Sequence, residues 1–274
     1  MKIHIIGDQG SRKYDEGLVN KVNEQIEAEE RRKRLEDRRA RLQTESQPVK
    51  KTKSEEAKPK TGVLNQTGFN LSDYLILEGN THGSYSYPDL LVARERSKEG
   101  KNWTDTQTEL RTENSYMLTI RQFVDLLSML KSDKVYDGTG TQLKSEEVTT
   151  LLNEIREVRA PYRSEHLDAK FNKQVTQTQI TYHKIKSDGS IEEVTENLEE
   201  CVMIDTRIDL NSWLANSTTQ GLPKRLKGDL YYHSPRHGAV ARFIANTYGA
   251  GLNCYRSPIN ANASLGVRIV RKKL

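Results

Sequence analysis

Residues 238–268 read GAVARFIANTYGAGLNCYRSPINANASLGVR, and their make-up differs from that of the chain before them. From Asp229 to Val270 there is no Lys, Glu, Gln, Met or Trp. These five types make up 64 of the 274 residues, so about ten would be expected in a stretch of that length at average composition. The fifteen types that do occur are those encoded by codons ending in a pyrimidine. An ordinary source of such a bias is a glycine-rich ending of loops and strands that avoids long flexible side chains.

Upstream of this segment the chain alternates between helical and strand-like patterns. Thr119 is a suitable N-cap for Ile120-Arg121-Gln122-Phe123-Val124-Asp125-Leu126-Leu127-Ser128-Met129-Leu130, where Ile120, Phe123, Val124, Leu127 and Leu130 share one helical face. Ser145-Glu146-Glu147-Val148 opens a second helix, with Val148, Leu151, Leu152, Ile155 and Val158 in register and Pro161 beyond its end. Residues 174–194 alternate in part around the turn signal Ser187-Asp188-Gly189-Ser190. Tyr74-Leu75-Ile76-Leu77 reads as a strand, residues 80–88 as a loop, and Leu90-Leu91-Val92-Ala93-Arg94 as strand or helix. Cys201-Val202-Met203-Ile204 is another short apolar run. Two core helices among short strands, without regular β-α-β alternation, indicate an α+β fold.

Residues 1–62 have a different character. Residues 14–46 lack proline and are rich in Glu, Arg, Lys, Gln and Leu, which predicts a charged helical arm. Its apolar repeat is not sustained over enough heptads for a regular coiled coil. Residues 47–62 have almost no apolar side chains and read as a disordered linker. The expected organisation is therefore an arm and linker over 1–62 and a folded domain over 63–274.

The net charge of +5 is concentrated at the two ends. Residues 1–60 hold 16 Lys and Arg against 12 Asp and Glu, whereas residues 61–270 hold 24 against 26. A basic tail, Arg271-Lys272-Lys273, accounts for the rest. Such a distribution argues against nucleic acid as the partner of the body. No apolar run approaches the roughly 20 residues of a membrane helix, and the start of the chain does not read as a signal peptide. Two cysteines, Cys201 and Cys254, make neither a disulfide framework nor a zinc site.

Catalytic and cofactor motifs are not found. Gly7-Asp8-Gln9-Gly10-Ser11-Arg12-Lys13 lacks the spacing of a phosphate loop. His233 and His237 flank Pro235, which excludes a helical pair of metal ligands. No nucleophile and base can be paired from sequence order. No cofactor, metal or enzymatic activity is expected.

Three motifs in order carry a more specific likeness: Gly238-Ala239-Val240-Ala241-Arg242-Phe243, then Leu252-Asn253-Cys254-Tyr255-Arg256-Ser257-Pro258, then Ala263-Ser264-Leu265-Gly266-Val267-Arg268. They resemble the ending of the variable proteins of diversity-generating retroelements, and more closely the archaeal and archaeal-virus branch of that family. In that family an error-prone reverse transcriptase rewrites adenines of Asn-type codons, so each such position samples the same fifteen residue types. The resemblance implies a C-type-lectin-like domain of the formylglycine-generating-enzyme type. Leu265-Gly266-Val267-Arg268 would be its closing strand, and the segment from Ser115 through Leu127 its first core helix.

Variation is tolerable only where side chains point to solvent. Phe243, Leu252, Leu265 and Val267 are accordingly expected to be scaffold. Ile244, Asn246, Tyr248, Ala250, Asn253, Tyr255, Ser257, Asn260 and Asn262 are the candidate variable, ligand-binding positions. Loops rich in Asn, Tyr, Ser and Gly have the composition of antibody paratopes. Calcium signatures of lectins are absent, and Cys254 has no nearby partner for the cysteine pair of formylglycine-generating enzymes. The expectation is a non-enzymatic binding protein of hypervariable type, with an unknown protein or surface ligand. Its arm would serve assembly, and its location would be a virion or cell surface by resemblance and cytoplasmic otherwise. The alternatives are a nucleic-acid-associated protein using the arm and basic tail, or a lectin-fold enzyme.

Overall fold

A computed structural model of the chain describes residues 69–132, 134–186 and 188–273. The predicted arm and linker lie outside the described residues.

In chain order the elements are β1 (Tyr74–Leu77), β2 (Asn80–His82), β3 (Tyr85–Tyr87), β4 (Leu90–Ala93), α1 (Trp103–Thr112), β5 (Tyr116–Met117), α2 (Ile120–Leu130) and α3 (Ser145–Arg156). There follow β6 (Arg163–Lys173), β7 (Thr178–Ile185), β8 (Ile191–Asn197), β9 (Thr206–Ile208), α4 (Leu210–Ala215) and β10 (Leu230–His233). The last four are β11 (Val240–Asn246), β12 (Gly249–Arg256), β13 (Leu265–Gly266) and β14 (Ile269–Lys272). The fold is α+β and mostly sheet. The larger sheet runs β8-β7-β6-β11-β12-β10-β9, with β13 parallel to β6; the smaller runs β1-β4-β14-β5.

The two patterned helices form where the sequence indicates. Thr119 Oγ1 accepts from the Gln122 amide at 3.2 Å, and the Gln122 side chain accepts from the Thr119 amide at 3.1 Å, a reciprocal cap. The apolar face of α2 is buried, and Phe123 meets Phe243 of β11 with ring centroids 5.0 Å apart. This contact fixes the inner face of the larger sheet. In α3, Val148, Leu151 and Ile155 are buried and Leu152 packs beside them, but the helix stops at Arg156. Glu157 is extended there, so Val158 leaves the helical face and is exposed.

One local reading changes and two that were open are settled. Residues 80–88 are not a plain loop: β2 and β3 form a hairpin that buries Tyr85 and Tyr87, with Tyr85 Oη 2.7 Å from Thr119 Oγ1. Leu90–Ala93 is a strand, central enough in its sheet to pair with both β1 and β14. Cys201–Ile204 forms no strand; only Val202 is buried, while Met203 and Ile204 face solvent.

Leu265-Gly266-Val267-Arg268 is the crossing between the two sheets rather than one continuous strand. Leu265 and Gly266 pair with β6, Val267 bridges Ser97, and β14 then inserts between β4 and β5. Arg268 sits at the crossing. It is 2% exposed and donates to Glu154 Oε2 at 2.8 Å and to the carbonyl of Ala93 at 3.2 Å.

Candidate binding surface

Strands β11 and β12 form an antiparallel hairpin in which Asn246 pairs with Gly249 across the two-residue turn Thr247-Tyr248. Side chains alternate across a sheet, and burial shows which set is inside. Phe243, Ala245, Ala250, Leu252 and Cys254 belong to the hydrophobic core. Arg242, Ile244, Asn246, Asn253 and Tyr255 therefore lie on the opposite, outer face. Strand β10 runs parallel to β12 with Tyr231 beside Gly251, adding Tyr231 and His233 to that face. A Cβ at Gly251 would stand 2.1 Å from the Tyr231 carbonyl oxygen, so only glycine permits this approach.

The nine candidate positions are not equivalent. Tyr248, at the hairpin tip, is 74% exposed, and Tyr255, Ser257 and Asn260 are also exposed. Ile244, Asn246 and Asn262 are half-buried. Ala250 (7%) and Asn253 (3%) are buried and do not meet the requirement of a solvent-facing side chain. Asn253 is on the outer face but enclosed by its neighbours in the sheet, whereas for Ala250 the reason is the turn. Stepping by two from Ile244 through Asn246 and Tyr248 reaches Ala250, but a two-residue turn shifts the outward phase from even to odd positions. The expected scaffold residues Phe243, Leu252, Leu265 and Val267 are all buried.

Three of the asparagines shape the backbone. Asn246 Oδ1 accepts from the amides of Tyr248 (2.8 Å) and Gly249 (3.1 Å), Asn253 Oδ1 from Tyr255 (3.2 Å), and Asn262 Oδ1 from Ser264 (2.9 Å). These are Asx-type turns, in which the side chain substitutes for a backbone acceptor. The NH2 groups of the same side chains are not used in them.

The surface extends beyond the nine. His233 and Tyr255 meet edge to face at 5.0 Å, and the Arg207 guanidinium lies 4.2 Å from the Tyr231 ring centroid. Asp205 accepts from the Ser234 amide and hydroxyl, both at 2.9 Å, and from Arg236 at 3.0 Å. Burial pushes its carboxyl up, but the hydrogen bonds from His233 and Ser234 and the charge of Arg236 hold it well below the usual carboxylate range. Tyr231 and His233 lie inside the stretch lacking Lys and Glu, so their signal was present in the sequence. Asp205 and Arg207 carried none.

Across four strands the outer face carries the row His233, Asn253, Arg242, His166. Arg242 is 5% exposed, and neither its Nε nor its Nη1 has a hydrogen-bond partner. Burial and the neighbouring Arg256 lower its pKa to about 10, while Tyr162 and Tyr255 act weakly the other way. His166 is pushed down to about 4, first by burial, against a hydrogen bond to the Lys101 carbonyl at 3.3 Å.

Other polar clusters are closed on themselves. Asp168 accepts from Gln107 Nε2 (2.6 Å) and the His183 amide (2.7 Å), and His183 Nδ1 lies 3.0 Å from it, tying α1 to β6 and β7. Asp125 meets His82 (2.8 Å), Tyr87 (2.6 Å) and Arg121 (2.7 Å). Burial raises both thiols, Cys201 to about 11, and Cys254 faces the core away from His233. His237 is exposed and accepts from the Lys173 amide at 3.0 Å. Among the described residues no group of three or more His, Cys, Asp or Glu could hold a metal ion, and no helix is long and apolar enough to cross a membrane.

No protein-family model matches the chain, and neither a curated protein nor a solved structure matches it.

Proposed function

We propose that the protein is a non-enzymatic binding protein presenting a diversified ligand surface near its C-terminus, of the kind carried by variable proteins of diversity-generating retroelements. One observation carries the reading. The segment free of Lys, Glu, Gln, Met and Trp folds into a hairpin whose inner face is core and whose outer face and loops expose Tyr248, Tyr255, Ser257, Ile259 and Asn260. Exposed tyrosines and small polar residues on a fixed sheet provide contact area at low entropic cost together with adaptable hydrogen bonds. Ile259, 72% exposed, fits variation better than selection for a bare surface.

The capped helix α2 on the inner face and the crossing at Leu265–Arg268 support a C-type-lectin-like scaffold. Residues 1–62 would then serve attachment or assembly, and the chain would act on a virion or cell surface.

Reading the gene's surroundings tests the proposal. A near-copy of the segment encoding residues 238–268, differing from it at adenines and lying near a reverse transcriptase gene, is the expected finding. Absence of both removes the claim of diversification.

A further inference from the structure

The outer row contains a buried charge that the fold does not match. Arg242 is enclosed, its Nε and Nη1 lack acceptors, and its strand neighbours Asn253 and His166 bring no negative charge. The guanidinium is hydrogen-bonded with the Tyr162 side chain, and its other close groups are Tyr255 and a second arginine, Arg256. Among the described residues no carboxylate forms an ion pair with it. Taking a cation out of water is costly unless an opposite charge and hydrogen bonds replace the lost hydration. The fold elsewhere meets this requirement: Arg163, equally buried, lies 2.6 Å from Glu154 and 3.0 Å from Glu165. His166 Nδ1, in the same row, is also without a partner.

We propose that Arg242 anchors an oxyanion site, at which a carboxylate or phosphate group of the ligand enters past Tyr255 and accepts hydrogen bonds from the unpartnered guanidinium nitrogens. Charge-assisted bonds of this kind are the strong ones, and arginine is suited to both oxyanions. The biological source of the anion rests on the reading of this face as the ligand surface; the site itself rests on Arg242. A ligand docked there would contact variable positions at its periphery and the buried Arg242 at its centre. Members that keep Arg242 would then differ in target while sharing a requirement for a negative group.

The full-length chain is titrated with acetate and, separately, with inorganic phosphate, against chloride at equal ionic strength. Thermal unfolding and the side-chain Nε–H resonance of Arg242 are followed. The expected result is a saturable rise in Tm and a saturable resonance shift with at least one oxyanion, exceeding those with chloride. Preference between acetate and phosphate identifies which group the site takes. Arg242→Met should weaken the apparent affinity at least about tenfold and should unfold at the same or a higher temperature than wild type in anion-free buffer. Val175→Ala, fully exposed between β6 and β7 and outside this surface, should leave the response unchanged. Equal responses to chloride, or an oxyanion response that survives in Arg242→Met, overturn the proposal. So does the lack of any resonance shift in the wild type, a measurement independent of whether the variant folds. Such a failure leaves the diversified surface standing, whereas absence of the genomic template removes diversification and leaves the anion site intact.

Discussion

Arg268 and Arg242 are both nearly inaccessible, and the fold treats them differently. Arg268 stands where the chain crosses between sheets, with Glu154 Oε2 at 2.8 Å, Glu165 Oε1 at 2.8 Å and two backbone carbonyls around it. Arg163 and Arg96 join the same cluster, the latter donating to the carbonyls of Ser164 (2.8 Å) and Ser264 (2.9 Å). Arg242, in the strand next to β6, faces a second arginine and two phenols. A buried charge whose partners come from three separate chain segments holds those segments together. A buried charge without such partners holds nothing, and its presence points outward, to a group the chain does not supply.

The sharpest way to break this contrast is to make one substitution at both sites. Arg268→Met should cost about 3–5 kcal/mol, because it takes from the buried Glu165 one of its two arginine partners and leaves one of its oxygens unpaired. Arg242→Met should cost nothing or add stability. Urea unfolding of the two variants measures both. A loss at residue 242 as large as that at 268 would mean that the fold satisfies both charges equally.

Acid titration separates the two regions by pH. His166 has its folded pKa lowered from 6.5 to about 4. Between those values the unfolded chain binds a proton that the folded chain refuses, so stability falls as pH drops from about 6.5 to about 4, by up to roughly 3 kcal/mol. His166→Gln should flatten that limb. Glu154 works in a lower window. Burial raises its pKa, but Arg163 and Arg268 lower it further, and the net shift is downward. Its contribution is complete above the ordinary carboxylate range and is lost as pH falls through the depressed folded value. Arg268→Met should therefore alter the low-pH limb and leave the His166 limb in place. An unchanged limb above pH 4 in His166→Gln would assign it to another group.

The same contrast explains how much the sequence disclosed. Helix α2 was legible because its apolar period, cap and buried face agree. Strand β6, Arg163–Lys173, was not legible: Arg163, Glu165, His166 and Asp168 are buried in it, and Arg163 and Glu165 pair with each other while Glu154, Arg268 and His183, from other elements, complete the ion pairs. The strand's first inward positions are an ion pair, so the apolar alternation starts only at Leu167 and runs through Ala169 to Phe171, too short a stretch for hydrophobic periodicity to register. The candidate surface was legible in composition but not in phase. The hairpin's inner and outer sets could be told apart only once the two-residue turn was known, and Ala250 was placed on the wrong side of that turn. Ala250→Asn should accordingly destabilise by about 2 kcal/mol, since it puts an amide among Ala245 and the surrounding core side chains. A neutral result would return residue 250 to the outer set.

The smallest effects are expected at the positions most exposed to solvent, and they bear most directly on diversification. Tyr248, Tyr255, Ser257 and Asn260 have side chains that the core does not need, so replacing each with Ala, Asp or His should change stability by no more than about 0.5 kcal/mol. Asn246 differs although it is more enclosed than Tyr248 and close to it in the chain. Its Oδ1 serves two turn amides, so Asn246→Ala should cost about 1 kcal/mol while Asn246→Asp, which keeps the acceptor, should cost less. A library randomised over the fifteen residue types at all nine candidates, sorted for folded protein, measures these costs together. Sequences should spread freely at residues 248, 255, 257 and 260, narrow to side-chain acceptors at 246 and 262, and collapse to small residues at 250. Uniform tolerance at all nine would mean that the hairpin adapts its register to its side chains. Uniform intolerance would mean that this face is structural, and a surface unable to vary could not serve a diversified repertoire.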